Sequence, residues 1–401
     1  MKVKLIRSDS AKNSTFLAAA CLNGPGAACD RDQRPLRRFR LKVRTSFSNM
    51  MPAPSLPRRR FLDIEGLHVD ARGTSNDYSR TDGGPRELQT IVGIDEAGYS
   101  PLLGPLVVSA AGFEARAIPT DWWVALRAPR AGDRPGPASS PAVDDSKKLY
   151  TPARGVGRLE LAVLAFLKTI GQTPATLRGL LACVGAEADA EAYPWYREAD
   201  VVIPVAADRE EIDRAAASLS RSFEESGVRF TRFRSVPLLV GNYNRKVQRR
   251  GNKSLVLFHS ALGLVDRFLH SEEDVCVLAD KQGARTYYGD LLSQYFFGCR
   301  LEQNAEAKEL STYRILHEGR RFGISFCLKG DAVHLPIALA SMCSKYIREL
   351  FMIIFNRYWR SINPDLRPTS GYQLDGRRYI RCISSLPEFE QVSRDLIIRK
   401  K

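Results

Sequence analysis

The 401-residue sequence has no run of about 18 consecutive apolar residues, which excludes a membrane-spanning helix. It has no Cys-x-x-Cys pair, and its eight cysteines (Cys21, Cys29, Cys183, Cys276, Cys299, Cys327, Cys343 and Cys382) form no regular framework. Its five histidines are scattered. Neither a disulfide scaffold nor a zinc site is therefore expected. Cys276, Cys327 and Cys343 lie in apolar runs and read as small buried hydrophobes. These features place the protein in a reducing cytoplasm. Phe16–Cys21 follows Lys2, Lys4, Arg7 and Lys12 loosely as a signal peptide does, but its apolar core is short and Asn23-Gly24-Pro25 comes soon after. No internal repeat is present. Acidic residues are few: 45 Asp and Glu stand against 60 Lys and Arg, a net charge of +15. That excess points to an anionic partner, a nucleic acid or a membrane surface. With 44% hydrophobic and 26% charged residues, the chain has the composition of a folded soluble protein.

Residues 1–88 differ from the rest. They lack helical or strand periodicity and carry eight of the excess positive charges, with clusters at Arg37-Arg38-Phe39-Arg40 and Arg58-Arg59-Arg60. This segment reads as a disordered basic tail or as untranslated upstream sequence, since Met50 and Met51 offer later starts. Residues 89–401 read as one folded domain. Thr90–Ile94 and Leu106–Phe113 are strand candidates, and a Pro, Gly and Ser-rich loop runs from Ala128 to Pro141. Helical spacing predicts helices near Val156–Ile170, Arg209–Ser226, Lys253–Leu269 and Tyr287–Tyr295. Further strands are expected at Val275–Ala279, Cys299–Gln303 and Phe322–Leu328. A long helix is expected over Leu335–Trp359, with Pro336 in its first turn, and a shorter one over Glu388–Ile398. Strands and helices mixed in this order imply an α/β fold around a central sheet.

Asp95 and Glu96 end one apolar strand, and Asp280 ends another. If the two strands are parallel neighbours, their acids emerge on one edge, where sites on α/β sheets form. Gathered carboxylates raise one another's pKa and call for a cation, and Mg²⁺ or Mn²⁺ suits oxygen ligands. Taken singly, each acid would merely cap or pair locally. On the long helix, Ser341, Lys345 and Glu349 share a face at i, i+4 and i+8. By itself that face reads as an exposed ion pair between Lys345 and Glu349, worth a few tenths of a kcal/mol.

Several blocks resemble ribonuclease HII. Gly93-Ile94-Asp95-Glu96-Ala97-Gly98, followed by Pro101-Leu102-Leu103-Gly104-Pro105, is similar to that family's opening block. Asp145-Ser146-Lys147-Lys148-Leu149 is similar to the next, and Asp280 ends a strand where the family has its third carboxylate. Lys329-Gly330-Asp331-Ala332 with Ala338–Glu349 resembles its long-helix block, and Gly371-Tyr372 its late Gly-Tyr motif. The blocks occur in the family's order. The resemblance implies a ribonuclease H-like mixed central sheet flanked by helices, with a C-terminal helical part. It also implies a monomer acting on RNA–DNA hybrid with two Mg²⁺ or Mn²⁺ ions. By the match, Asp95 would bridge the ions, and Glu96, Asp280 and Glu349 would complete the catalytic and metal-binding set. Ser146, Lys147 and Lys148 would meet phosphates, Ser341 and Lys345 would sit beside the site, and Tyr372 would pack on a sugar or base.

The sequence also departs from the family. Where the family continues Gly-Arg-Gly to read the ribose 2′-hydroxyl, this chain has Gly98-Tyr99-Ser100, which loses a bidentate donor and a glycine. Its fourth carboxylate is Glu349 instead of aspartate. A basic stretch, Gly241–Lys253, lengthens the run before Asp280 and reads either as a wider nucleic-acid footprint or as an exposed loop. Two other classes keep the same residues: a nuclease of this fold acting on another nucleic acid, and a nucleic-acid-binding protein with a decayed site. Metal-dependent cleavage separates the last from the others.

Overall fold

In the computed structural model, residues 88–134, 140–269, 275–283 and 285–400 are described. Residues 1–87 of the expected basic tail, and the middle of the loop after Ala128, lie outside them. In chain order the strands are β1 (Gln89–Ala97), β2 (Leu106–Ala115), β3 (Val228–Leu238), β4 (Val275–Asp280), β5 (Arg300–Glu306), β6 (Leu310–His317) and β7 (Arg320–Cys327). They form one mixed sheet in the order β3-β2-β1-β4-β7-β6-β5. β1, β4 and β7 are mutually parallel at its centre, and antiparallel pairs flank them on both sides.

β1 is buried on both faces, and alternation sends its side chains into two separate cores. Ile91 joins the first core, and Val92 and Ile94 join the second. The helices before β3 are α1 (Trp122–Ala125), α2 (Ser146–Leu149), α3 (Gly157–Thr169), α4 (Leu177–Cys183) and α5 (Arg209–Ser226). α6 (Val240–Arg250) and α7 (Lys253–Val265) lie between β3 and β4, and α8 (Gly289–Tyr295) precedes β5. After β7 come α9 (Gly330–Val333), α10 (Leu335–Ile362), α11 (Gln373–Ile383), α12 (Pro387–Glu390) and α13 (Arg394–Ile397). The first core packs β1 and β2 against α3, α5 and α10, and the second packs the opposite face against α7 and α8. The mixed sheet, its flanking helices and the helical C-terminal part are those expected.

Local chemistry sets the boundaries. The Asp208 side chain caps α5 by accepting from Glu211 N at 2.9 Å, and Gly227 closes it in the left-handed region at φ 66°. Gly93 is required by close approach, because a Cβ there would stand 2.1 Å from the Pro336 carbonyl carbon. Its absence lets the start of α10 lie directly on β1.

Several elements differ from expectation. β3 is hidden by a bulge opposite Gly112/Phe113, which puts the inward Phe230 and Phe233 three residues apart and breaks the period of two. α6 forms where an exposed loop was one reading: its buried Val240, Tyr243, Asn244 and Val247 are helically spaced beneath a basic face. β6 and α11 are too polar to stand out. The expected C-terminal helix is two short ones, parted at residues 391–393.

Candidate active site

Ile94 stands opposite Ala279 across the parallel pair, so Asp95 and Asp280 leave the sheet side by side at its C-terminal edge. Asp95 is buried, and its carboxylate accepts the Glu96 amide at 2.7 Å. The Ser344 hydroxyl donates to the Asp95 carbonyl at 3.1 Å, which ties the strand end to α10. Asp280 accepts the Gly330 amide at 2.7 Å. Burial pushes Asp95 well above the usual carboxylate range, and the charges of Glu96 and Asp280 add to it against a hydrogen bond from Ser341. Burial and then Asp280 raise Glu96 to about 7, opposed by Lys147. Burial raises Asp280 to about 6, opposed by the Gly330 amide and reinforced by Asp331.

Asp331, at the start of α9, is the functional candidate that sequence reasoning left without a role. Its pKa is raised by burial and then by Asp145, and it acts on both Asp280 and Lys147. It sits inside the Lys329–Ala332 block already noted, so the signal was present. Lys147 is exposed and faces these acids. Against burial, the charges of Asp145, Asp331, Asp95 and Asp280 hold its proton.

Glu349 is elsewhere engaged, contrary to its expected place in the metal set. Its Oε1 accepts from Lys345 Nζ at 2.5 Å and Arg348 Nη1 at 2.9 Å, and its Oε2 accepts the Tyr150 hydroxyl at 2.7 Å. Against burial, Arg348 and Lys345 hold its pKa below the usual range. The Lys345–Glu349 pair is also not exposed, since side-chain exposure is 9% and 6%. Lys345 and Arg348 are both spent on Glu349 because the stretch Leu335–Met352 of α10 is buried.

The expected phosphate trio divides. The hydroxyls of buried Ser146 and Ser341 are 3.0 Å apart, and Lys148 pairs with Asp144 at 2.9 Å, so Lys147 alone of the three faces the acids. The half-exposed Tyr372 ring lies 6.0 Å from Lys345 Nζ and 5.6 Å from the Arg348 guanidinium.

The turn after Glu96 is held by residues far away in sequence. Gly98 has φ 89°, and a Cβ there would stand 2.6 Å from Arg348 Nε. The Leu102 and Leu103 amides donate to the Gly371 carbonyl, and Gln373 Nε2 donates to the Ser100 carbonyl at 2.9 Å. Arg399, buried near the chain's end, donates to the carbonyls of Gly104 at 2.8 Å and Gly98. Arg399→Ala is expected to cost about 2 kcal/mol by orphaning two buried carbonyls. Arg399→Lys should recover only part of that, because an ammonium lacks the fork. Urea unfolding measures both, and a wild-type midpoint for Arg399→Ala would show that the turn holds itself.

Among the described residues, no three His, Cys, Asp or Glu side chains are drawn together tightly enough to hold a metal ion. The donor chemistry of Asp95, Glu96, Asp280 and Asp331 nonetheless suits a hard divalent cation: all are oxygen ligands, and their pKa values are raised by burial first and by neighbouring carboxylates second, both of which a cation offsets. Glu349, neutralised by two cations, does not fit that role.

No family model and no curated protein matches the chain. Among solved structures it is similar to the ribonuclease H2 from Pyrococcus horikoshii OT3, at 14% identity over 77% of this chain and 92% of that one, with a TM-score of 0.40. It is similar to a chain of the PCNA:RNase HII complex from Archaeoglobus fulgidus at 12% identity, over 78% and 94% of the two chains, with a TM-score of 0.35. For Bst-RNase HIII in complex with Mn²⁺ the identity is 16%, the coverage 78% and 66%, and the TM-score 0.33. Fits this loose carry no weight, and what the site can do rests on its own acids.

Proposed function

We propose that the protein is a metal-dependent endonuclease that hydrolyses the RNA strand of RNA–DNA hybrids. One observation carries the reading: Asp95, Glu96 and Asp280 meet at the ends of adjacent parallel strands with Lys147 facing them. Asp331, in place of Glu349, is the fourth acid of the proposed set. Two Mg²⁺ or Mn²⁺ ions held by these carboxylates would supply an activated water, charge neutralisation at the scissile phosphate and stabilisation of the leaving oxygen. Lys147 places a point charge beside a phosphate oxygen. Ser341 keeps Asp95 hydrogen-bonded, and Ser344 anchors the strand end, so the acids keep their places as substrate arrives. Lys345 is buried against Glu349 and the Tyr150 ring, at 4.3 Å, and acts as a support for the wall behind the site.

Phosphate is common to RNA and DNA, so contacts to the 2′-hydroxyl decide between them. Here Gly98-Tyr99-Ser100 follows the Asp95-Glu96 pair where the resembled family has Gly-Arg-Gly. We expect continuous hybrid to be cut and a lone ribonucleotide in DNA to be cut poorly, because a lost hydrogen bond costs about 0.5–1.5 kcal/mol and hybrid offers several 2′-hydroxyls. The test is a panel of hybrid, lone-ribonucleotide duplex, double-stranded RNA and single strands, each with Mg²⁺ and Mn²⁺. Replacing Tyr99-Ser100 by Arg-Gly should raise lone-ribonucleotide cleavage relative to hybrid. Equal cutting of both substrates by the unmodified protein would remove this account of the turn, and no cleavage of any substrate would remove the nuclease reading.

A further inference from the structure

The 26 residues from Val240 to Val265 contain five cations and no acid. On α6, Arg245, Lys246, Arg249 and Arg250 follow at i, i+1, i+4 and i+5 and so share one broad face. Lys253 opens α7 just beyond. Arg245, Arg249 and Arg250 are exposed, while Lys246 and Lys253 are half-buried. None of the five forms an ion pair with a carboxylate of another described residue. Two basic residues in the last turn satisfy a helix dipole, so this many unpaired cations exceeds what the helix itself needs.

The basic face is joined to the catalytic turn. Lys253 Nζ lies 4.8 Å from the centre of the Tyr99 ring, three residues after Glu96. Arg285, in the loop after Asp280, donates to the Ser254 hydroxyl at 2.9 Å. The end of the chain fixes α6 in place: Asn244 donates to the carbonyls of Asp395 at 2.9 Å and Ile398 at 2.8 Å, and accepts the Lys400 amide at 2.7 Å. The Arg399 guanidinium that holds the Gly98 carbonyl lies 4.8 Å over the Tyr243 ring of the same helix. Cationic helix and acid cluster are thus tied to the same turn, with Tyr99 next to both.

We infer that α6 and Lys253 form a second nucleic-acid contact, a backbone-binding track for the duplex that flanks the scissile phosphate on the Tyr99 side. The inference rests on the nuclease reading and deepens it. An 11-residue helix is about 16 Å long, the span of about five phosphates on one strand. Its cations meet phosphates and carry no base specificity, so the track raises affinity for any duplex of sufficient length. A membrane surface fits less well, because the apolar side of α6 is buried in the domain and no exposed aromatic or leucine accompanies the cations on the helix.

The test uses the full chain with Arg245→Gln, Arg249→Gln and Arg250→Gln combined. A control carries Arg320→Gln and Arg321→Gln, exposed residues at the far end of β7 from the acids. Fluorescence anisotropy with a 20-base-pair hybrid in Ca²⁺ reads binding apart from cleavage. We expect the triple variant to bind about tenfold more weakly near 0.1 M salt, with the slope of log affinity against log salt reduced by about 2–3. KM for this hybrid should rise with kcat unchanged, and an 8-base-pair hybrid should be cut as before. Unchanged binding and slope would overturn the track, as would an equal loss in the control. So would vesicles containing phosphatidylserine binding the wild type and not the triple variant while hybrid binding stays constant. Weaker hybrid binding by the triple variant supports the track even if no substrate is cleaved, an outcome that counts against the nuclease reading alone.

Discussion

Asp280→Asn is expected to lower hybrid cleavage on the order of a thousandfold, about 4 kcal/mol of transition-state stabilisation, and at the same time to raise the melting temperature measured in EDTA. Both effects have one cause. Asp280 is raised to about 6 and Glu96 to about 7, so the folded protein holds more protons than the unfolded chain between about pH 4 and 7. Stability contributed by these groups is therefore present at the low end of that window and lost as pH rises through the folded values. Asparagine keeps the shape and the Gly330 contact but removes one of the repelling charges, so the metal-free variant should be more stable at pH 8 and show a flatter dependence on pH. By the same reasoning Mn²⁺ should raise the wild-type melting temperature more at pH 8 than at pH 5, where protons compete for the carboxylates. Asp331→Asn should act in the same direction with smaller size. Normal turnover by Asp280→Asn would remove the assignment of the site, and a lower melting temperature in EDTA would show that the acids are stabilised in some other way.

Glu349→Ala is expected to have the largest cost in stability. It would leave Lys345 and Arg348 as buried cations without their carboxylate, and breaking such a set costs about 3–5 kcal/mol. For a domain of this size the melting temperature should fall by roughly 10 °C. Glu349→Asp, which would restore the aspartate of the resembled family, should also destabilise. A side chain one methylene shorter does not reach Lys345, Arg348 and the Tyr150 hydroxyl together. Glu349→Gln keeps the length and one hydrogen bond to each side but loses the charge, so it should fall between the wild type and alanine. Below their melting temperatures these variants should retain much of their metal-dependent cleavage, because the wall behind the site is altered and the acids are not. A Glu349→Gln protein of wild-type stability with no cleavage would return Glu349 to the catalytic set.

Much of this could be read from the chain alone. β1, β2, β4 and α10 were legible because burial on both faces imposes long apolar runs. The three acids at strand ends were legible too, since a charged residue that stops an apolar run has few places to go in a sheet. Asp331 stood within a noted block but drew no role, because a single acid in a short loop looks like any turn residue until the structure brings it toward Asp280.

What the sequence by itself determined was periodic or local: the identity of the apolar strands and the longer helices, the basic excess, and the carboxylates at two strand ends. Which acids share a space was decided by the tertiary structure, because it depends on the parallel register that sets Ile94 against Ala279. The fate of Glu349 was decided there as well. Spacing on one helix shows that Lys345 and Glu349 face the same way, but only the approach of Tyr150, 199 residues earlier, and the burial of Arg348 show that this face is dry and its charges mutually satisfied. Arg399 is the extreme case. Nothing near it in sequence hints at a role, and its grip on Gly98 and Gly104 exists because the chain's end returns across about 300 residues to donate where the turn's own backbone leaves buried carbonyls without partners.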